Sequence, residues 1–93
     1  MLFMNIYTWE PGQRDELIKR RMEKGMALSK GLKKIDEWFD VSGGRGFLVF
    51  ESNDAKAVMT SVMAWSDLMK EEIFPLLEAT ELFEAEKGKG PKK

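Results

Sequence analysis

The chain of 93 residues contains no cysteine and no histidine. Without cysteine there is no disulfide framework, no thiol nucleophile and no thiolate zinc site. Without histidine there is no Ser-His-Asp triad and no imidazole ligand for a metal ion. These two absences exclude many of the arrangements by which small proteins catalyse reactions or hold metals.

The chain also lacks an excess of charge of one sign and any long apolar run. The 15 Lys and Arg residues oppose 16 Asp and Glu residues, which leaves a formal net charge of −1. This balance argues against a nucleic acid bound through bulk electrostatics. No apolar stretch reaches the roughly 18 residues of a membrane-spanning helix, and the apolar start of the chain lacks the basic region and cleavage site of a signal peptide. We therefore expect a cytoplasmic protein with neither a membrane nor a nucleic-acid partner.

The composition changes near the end of the chain. Residues 84–93 are rich in lysine and glycine and carry little that is apolar. Such a segment buries too little surface to offset the entropy that it would lose on ordering. At this length we predict one domain over residues 1–83, followed by a solvated, disordered tail over residues 84–93.

The first nine residues are apolar apart from Asn5 and Thr8, and they are too few for a typical helix. We predict a strand that is buried on both faces. Alternation gives it one aliphatic face and one aromatic and polar face, which are Leu2, Met4, Ile6 and Thr8 against Phe3, Asn5, Tyr7 and Trp9.

The remaining pattern predicts two helices and three more strands. The segments are a helix over 11–29, a charged strand over 34–41, a glycine-rich turn over 42–46, an apolar strand over 47–50, a helix capped by Ser52, Asn53 or Asp54, and a last strand over 71–83. This order is the ferredoxin-like β-α-β-β-α-β arrangement, an α+β fold with an antiparallel sheet and two helices on one face. Its second and fourth strands are edges, which suits the charges of 34–41 and the proline at position 75.

The aromatic side of the first strand indicates how the protein assembles. Because the helices cover only one face of the sheet, Phe3, Tyr7 and Trp9 would form an adhesive patch on the other face. We therefore predict a homodimer in which two sheets close face to face into a barrel-like body.

The segment Glu37-Trp38-Phe39-Asp40-Val41-Ser42-Gly43-Gly44-Arg45-Gly46-Phe47 resembles the most characteristic stretch of a small prokaryotic family of uncharacterised proteins. Residues 1–4, 7–9 and 65–68 are similar to that family as well. The resemblance implies a dimeric α+β barrel, a fold that also includes cofactor-free monooxygenases, muconolactone-isomerase-like enzymes and haem-dependent relatives. It implies no activity. Because the haem relatives commonly use an axial histidine, which is absent here, we expect no cofactor.

Several side chains are candidates for a binding site. Asn5, Tyr7, Trp9 and Trp38 could line a pocket between the sheet and the helices or inside the dimer, and ordinary core packing is the alternative. The turn at 42–46 could bind an anion through Arg45, although a plain hairpin turn with Arg45 paired to Asp40 is favoured. Trp65 and Asp67 follow the second helix and are further candidates for ligand contact.

Carboxylates are the remaining side chains that could catalyse proton transfer or bind a metal ion. Without histidine, acid–base work would fall to Tyr7, Asp36, Asp40 or Asp67. Asp36, Glu37, Asp40 and Glu51 are close in the predicted hairpin, but their spacing matches no metal-binding pattern, so we predict no metal site.

Three functions remain open. The chain is a homodimeric module that binds a small hydrophobic or aromatic molecule, a cofactor-independent enzyme of the monooxygenase or isomerase type, or a structural protein without a ligand. A pocket with a perturbed carboxylate would favour the enzyme, a pocket without one would favour the binder, and a filled interior would favour the structural protein.

Overall fold

The computed structural model describes residues 1–26 and 28–89. In chain order its elements are β1 (Leu2–Thr8), a short 3-10 turn (Pro11–Gln13), α1 (Arg14–Lys24), β2 (Leu32–Phe39), β3 (Arg45–Ser52), α2 (Ala55–Met63), β4 (Lys70–Leu76) and α3 (Ala79–Lys89). The strands form one sheet in the order β2-β3-β1-β4, and all three pairings are antiparallel. The predicted ferredoxin-like α+β fold is confirmed, with a third helix added at the C-terminal end.

The central and edge strands are those that the sequence predicts. The apolar strands β1 and β3 are central, whereas β2 and β4 are the edges. Pro75 lies in β4 opposite Phe3. An edge strand tolerates proline because only one of its two sides needs to donate hydrogen bonds to a neighbour.

The first helix is shorter than predicted. Gly25 ends α1 with a φ of 68°, and its amide donates to the carbonyl of Arg21 at 2.9 Å. A residue without Cβ adopts this left-handed conformation at little cost, so the helix ends before Gly31, which was the predicted stop. At the start of α2, the Asp54 carboxylate accepts hydrogen bonds from the amides of Lys56 and Ala57 at 3.0 and 3.3 Å, as a helix cap should.

The C-terminal region differs from the sequence prediction. The last strand ends at Leu76, and Leu82 and Phe83 belong to α3 rather than to a strand that continues to residue 83. Residues 84–89, part of the predicted tail, are helical, and the side chains of 84–88 are exposed. Residues 90–93 lie outside the described part of the chain, so the domain boundary at residue 83 stays a prediction.

The prediction of which face of β1 meets the helices is wrong. Tyr7 and Trp9 are 4% and 9% exposed and form one buried cluster with Leu17 of α1 and with Trp65, which follows α2. Alternation correctly separates the two sets of side chains, but it does not say which set the helices cover. The outcome fits β3, whose buried residues Leu48 and Phe50 share the aromatic face of β1 through their register with Asn5 and Phe3.

The aliphatic set therefore lies on the uncovered side of the sheet. Neighbouring strands place further apolar residues beside it, and we call this set the open face: Met4, Ile6, Trp38, Phe47, Val49 and Phe74. Trp38 and Phe74 are 51% and 41% exposed. The sheet thus presents an apolar surface to solvent, made of different residues from those predicted.

The Tyr7 side chain packs closely against the backbone of Gly46. Gly46 lies opposite Tyr7 in the pairing of β1 with β3, and a Cβ at this position would come within 2.3–2.6 Å of three atoms of the tyrosine side chain. The absence of a side chain at Gly46 therefore allows the Tyr7 ring to lie flat across β3.

We expect Gly46→Ala to lower the free energy of unfolding by about 2 kcal/mol, because the added methyl group displaces the buried Tyr7 ring. Urea denaturation measures the change. Gly44→Ala is the control, since its Cβ would meet nothing within 4 Å. Equal stability of the two variants would contradict this account of the tyrosine's position.

Candidate functional site

A narrow cavity lies between the inner face of the sheet and the helices. Its free volume is about 40 Å³, which is room for roughly two or three water molecules. Most of the lining is apolar and includes Leu17, Leu48, Phe50, Val58, Trp65 and Ile73. The polar side chains in the lining are Asn5, Tyr7, Arg21, Glu37, Ser61 and Glu71. A mostly apolar wall with a few polar groups is typical of a small-molecule site.

Five elements bring these polar groups together, and α2 contributes Ser61. Asn5 and Tyr7 come from β1, Glu37 and Glu71 from the edge strands on either side, and Arg21 from α1. In the sheet register Tyr7 is opposite Glu71. Arg21 lies one helical turn after the buried Leu17, so its side chain leaves α1 on the side that faces the sheet.

Glu37 is the most heavily bonded carboxylate in the cavity lining. It accepts hydrogen bonds from the hydroxyl of Tyr7 and from both terminal nitrogens of Arg21, with Nη1 at 2.9 Å from Oε2. Its side chain is 5% exposed, and Lys34 Nζ is 3.8 Å from Oε1. Burial alone would raise the pKa of Glu37, but the hydrogen bonds from Arg21 and Tyr7 outweigh it and hold the pKa below its usual range.

Tyr7 is consequently a fixed donor. Burial, together with the neighbouring Glu37 carboxylate, raises the pKa of the Tyr7 hydroxyl above its ordinary value. The hydroxyl therefore keeps its proton at neutral pH and is committed to Glu37, which does not suit the acid–base role that the sequence suggested for it.

Glu71 has a different environment. Asn5 Nδ2 donates to Glu71 Oε1 at 3.0 Å. Asn5 Oδ1 and Glu71 Oε2 are both buried and have no hydrogen-bond partner in the described part of the chain, and we call these two oxygens the acceptor pair. Burial raises the pKa of Glu71, which the hydrogen bond from Asn5 only partly opposes. The pKa values of the two cavity carboxylates, Glu37 and Glu71, are thus shifted in opposite directions.

A second, more open depression lies at the end of β1. This crevice has a volume of about 280 Å³, and Trp9, Gln13, Asp67 and Lys70 are among the residues that line it. The indole nitrogen of Trp9 is buried without a partner among the described residues. Asp67 is held by Arg20 through two hydrogen bonds of 2.9 and 2.7 Å, and Arg20 also lies over the Trp65 ring, with its guanidinium carbon 5.5 Å from the ring centroid.

The structure separates the candidate residues into groups. Asn5, Tyr7 and Trp65 line the cavity, whereas Trp9 and Asp67 line the crevice. Trp38 belongs to the open face, on the other side of the sheet. The residues that the sequence grouped as one pocket therefore lie in three places.

Asp40 and Arg45 remain at the hairpin. Arg45 Nε is 3.5 Å from Asp40 Oδ2, which is the predicted pairing across the turn. The Asp40 side chain accepts from the Ser42 amide at 3.0 Å, and its carbonyl accepts from the Gly43 amide at 2.9 Å. These bonds close a turn and occupy two of the amides that an anion at this turn would need. Asp36 is exposed and pairs with Val49 on the open side of the sheet, away from the cavity.

Two charged residues of the cavity lining, Arg21 and Glu71, were missed by the sequence analysis. Arg21 is four positions after Leu17, so helical spacing alone could have placed it beside the apolar stripe. Glu71 alternates with Ile73 along β4 and therefore shares its face. Both signals were hidden because charged side chains are more often solvated than buried.

Clusters of metal ligands and membrane-spanning helices are not found among the described residues. Residues 1–26 and 28–89 contain no group of three or more His, Cys, Asp or Glu side chains that could hold a metal ion. Within the same residues, no helix is both long and apolar enough to cross a membrane.

The opposite pKa shifts predict opposite effects of two matched substitutions on stability. We expect Glu37→Gln to lower the free energy of unfolding by about 2 kcal/mol at pH 7, because it leaves Arg21 without its ionic partner. We expect Glu71→Gln to raise the melting temperature at pH 7, because it removes a buried charge that lacks a cationic partner in the described residues.

Thermal melts between pH 2.5 and 7 test both signs, because the pKa of Glu37 lies below its usual range and is reached only in stronger acid. A lowered folded pKa stabilises the protein above the unfolded pKa, so the loss in Glu37→Gln should shrink as acid protonates Glu37 in the wild type. A raised folded pKa destabilises the native state at high pH, so the gain in Glu71→Gln should also shrink as the pH falls. Destabilisation by both variants at pH 7 would contradict the assignment of Glu71.

Comparison with known proteins agrees with the fold. The family model described as Domain of unknown function (DUF3303) matches residues 1–90, so the chain belongs to this family. The structure is similar to a crystal structure from Deinococcus radiodurans that is described, provisionally, as an antibiotic biosynthesis monooxygenase. That match has a TM-score of 0.50 and 13% sequence identity, and it covers 85% of this chain and 95% of the other. Such a likeness concerns the fold alone. No curated protein matches the sequence significantly.

Proposed function

We propose that this member of the DUF3303 family is a cytoplasmic homodimer that binds a small molecule in the cavity between sheet and helices. The observation that carries the proposal is the acceptor pair, Asn5 Oδ1 and Glu71 Oε2, in an otherwise apolar cavity. A buried acceptor without a donor costs about 1–3 kcal/mol, which is a large fraction of the stability of a small domain. A ligand or bound water that donates to these oxygens would remove that cost.

The free volume limits the size of the ligand. About 40 Å³ is much less than the roughly 150 Å³ of an engineered cavity that binds benzene. The described conformation therefore suits a molecule of a few non-hydrogen atoms. An aromatic ligand would need the wall to move, and Met26 and Met69 are flexible side chains that allow such movement.

Fluorescence of Trp65 tests binding at the cavity. In the variant Trp9→Phe/Trp38→Phe, the only remaining tryptophan lines the cavity, so an occupying molecule should change its emission. We expect saturable changes with small polar metabolites. We expect the further substitution Val58→Phe, which fills the cavity from α2, to abolish them while the circular dichroism spectrum is retained. A panel that leaves the emission of Trp65 unchanged would contradict the proposal.

A second candidate function is catalysis without a cofactor, of the monooxygenase or isomerase type. The observation in its favour is Glu71, a carboxylate at the cavity whose pKa burial raises above its ordinary value. Such a group can accept a proton from a bound molecule more readily than an ordinary glutamate can. The third reading, a structural protein, is favoured only by the small free volume.

The proposed homodimer rests on the open face. An apolar sheet surface of this kind is unusual on a monomer and normally marks an interface. A second copy of the chain is the occupant that the charges suit best. Arg45 and Glu51 stand at opposite ends of β3, and their register with Thr8 and Leu2 places both on the open side of the sheet. Two-fold stacking with antiparallel β3 strands would bring each Arg45 to the partner's end that carries glutamate.

Sedimentation velocity tests this assembly. We expect the wild-type chain to sediment as a dimer at micromolar concentration, and Ile6→Glu to sediment as a monomer because it places a charge in the middle of the open face. Val41→Glu is the control, since Val41 is fully exposed in the hairpin loop. A monomeric wild-type protein, or a dimeric Ile6→Glu variant, would show that the open face is not the interface.

A further inference from the structure

The buried polar atoms of the cavity lining that have no partner are of one kind, because they are all acceptors. The Tyr7 hydroxyl and the Arg21 guanidinium donate to Glu37, and the indole nitrogen of Trp65 donates to the carbonyl of Met26 at 2.8 Å. The polar side-chain atoms left buried and unpaired in the cavity lining are the two oxygens of the acceptor pair, Asn5 Oδ1 and Glu71 Oε2. A complementary molecule must therefore bring donors.

The charges of the cavity lining also favour a ligand that donates hydrogen bonds, and they favour one that is a cation. Arg21 is engaged at both terminal nitrogens by Glu37, so this pair is balanced. Glu71 has no cation within salt-bridge distance in the described part of the chain. Its neighbour Lys70 does not offset it, because successive side chains of β4 point to opposite faces of the sheet. A buried carboxylate with a free oxygen and no counter-ion attracts a cation and repels an anion.

We propose that the ligand of the cavity is a small primary amine, bound as its ammonium ion. The ammonium group would donate one hydrogen bond to Glu71 Oε2 and one to Asn5 Oδ1, and the short alkyl part would lie against the apolar wall formed by Leu48, Phe50 and Ile73. The proposal rests on the proposed binding function of the cavity and adds the chemical class of the ligand.

Other cations suit the site less well. A quaternary ammonium ion has no N–H group, so it would leave both oxygens of the acceptor pair without a donor. A guanidinium ion is planar and presents five N–H donors, more than the acceptor pair can receive. A primary ammonium group carries three donors on one small atom. Movement of Met26 and Met69 supplies the room that a short alkyl part needs beyond the free volume of about 40 Å³.

The test compares molecules of equal size and different charge. The probes are propylamine, 1-propanol and propionate, titrated at pH 7 into the Trp9→Phe/Trp38→Phe protein and followed by Trp65 emission and by calorimetry. A molecule of four to five non-hydrogen atoms binds at best with an affinity of about tens of micromolar, so millimolar concentrations are needed. We expect propylamine to bind about tenfold or more tightly than 1-propanol, because its hydrogen bonds are charge-assisted, and propionate not to bind.

Two glutamate variants separate the role of Glu71 from that of general charge. Glu71→Gln should weaken the binding of propylamine about tenfold or more, because it removes the negative charge. It should leave the affinity for 1-propanol nearly unchanged, because glutamine retains an acceptor. Glu72→Gln is the matched control, since Glu72 is the exposed neighbour on the other face of β4, and it should change neither affinity by more than about twofold. Asn5→Leu, which removes the other acceptor, should weaken propylamine as well and serves as a second variant.

The possible outcomes distinguish the two proposals. If 1-propanol or propionate binds as well as propylamine, or if Glu71→Gln leaves the affinity for the amine unchanged, the amine proposal is overturned and the binding function stands. If none of the three probes, and none of the wider panel, changes the emission of Trp65, both are overturned. Binding of propylamine alone, lost in Glu71→Gln and kept in Glu72→Gln, supports both.

Discussion

The rest of this structure depends on the hydrogen bonds that the buried carboxylate of Glu37 accepts from Tyr7 and Arg21. Glu37 receives the Tyr7 hydroxyl from β1 and the Arg21 guanidinium from α1, and it is itself part of the edge strand β2. One side chain therefore joins three elements that are distant in sequence. Because Tyr7 in turn lies across Gly46 of β3, the position of this hydrogen-bonded group also constrains the central strands. Removing any member would leave a buried or half-buried polar group unpaired, which is why the arrangement holds one geometry.

The same cavity contains a second carboxylate, Glu71, which has too few hydrogen-bond donors to offset its burial. Glu37 has enough donors to stay ionised, whereas Glu71 has one donor, a free oxygen and no cation within salt-bridge distance in the described residues. A buried group that costs stability is a natural place to look for function. The contrast between the two glutamates, rather than the size of the cavity, is what supports a ligand site here.

The sequence predicted more of the fold than of the site. Strand alternation and the glycine-rich turn placed the hairpin, and Pro75 and the charges of β2 identified the edge strands, because these are local properties. The end of the first helix was less accurate, since Gly25 and Gly31 can both adopt a positive φ and the helix ends at the earlier one. In the site, Asn5, Tyr7 and Trp65 were predicted and do line the cavity. Arg21 and Glu71 were missed because charged residues normally face water, and only a partner on another element makes their burial acceptable.

By itself, then, the sequence determined the order of the elements, the central and edge strands, and the two sets of side chains on β1. These follow from the spacing of apolar residues, which is fixed by the covalent chain. The tertiary structure decided which set the helices cover, and with it which residues form the cavity and which form the open face. Spacing cannot make that choice, because both faces of β1 are apolar. The helices met the face on which Leu48 and Phe50 of β3 also lie, and the outcome depends on contacts between strands and helices that are far apart along the chain.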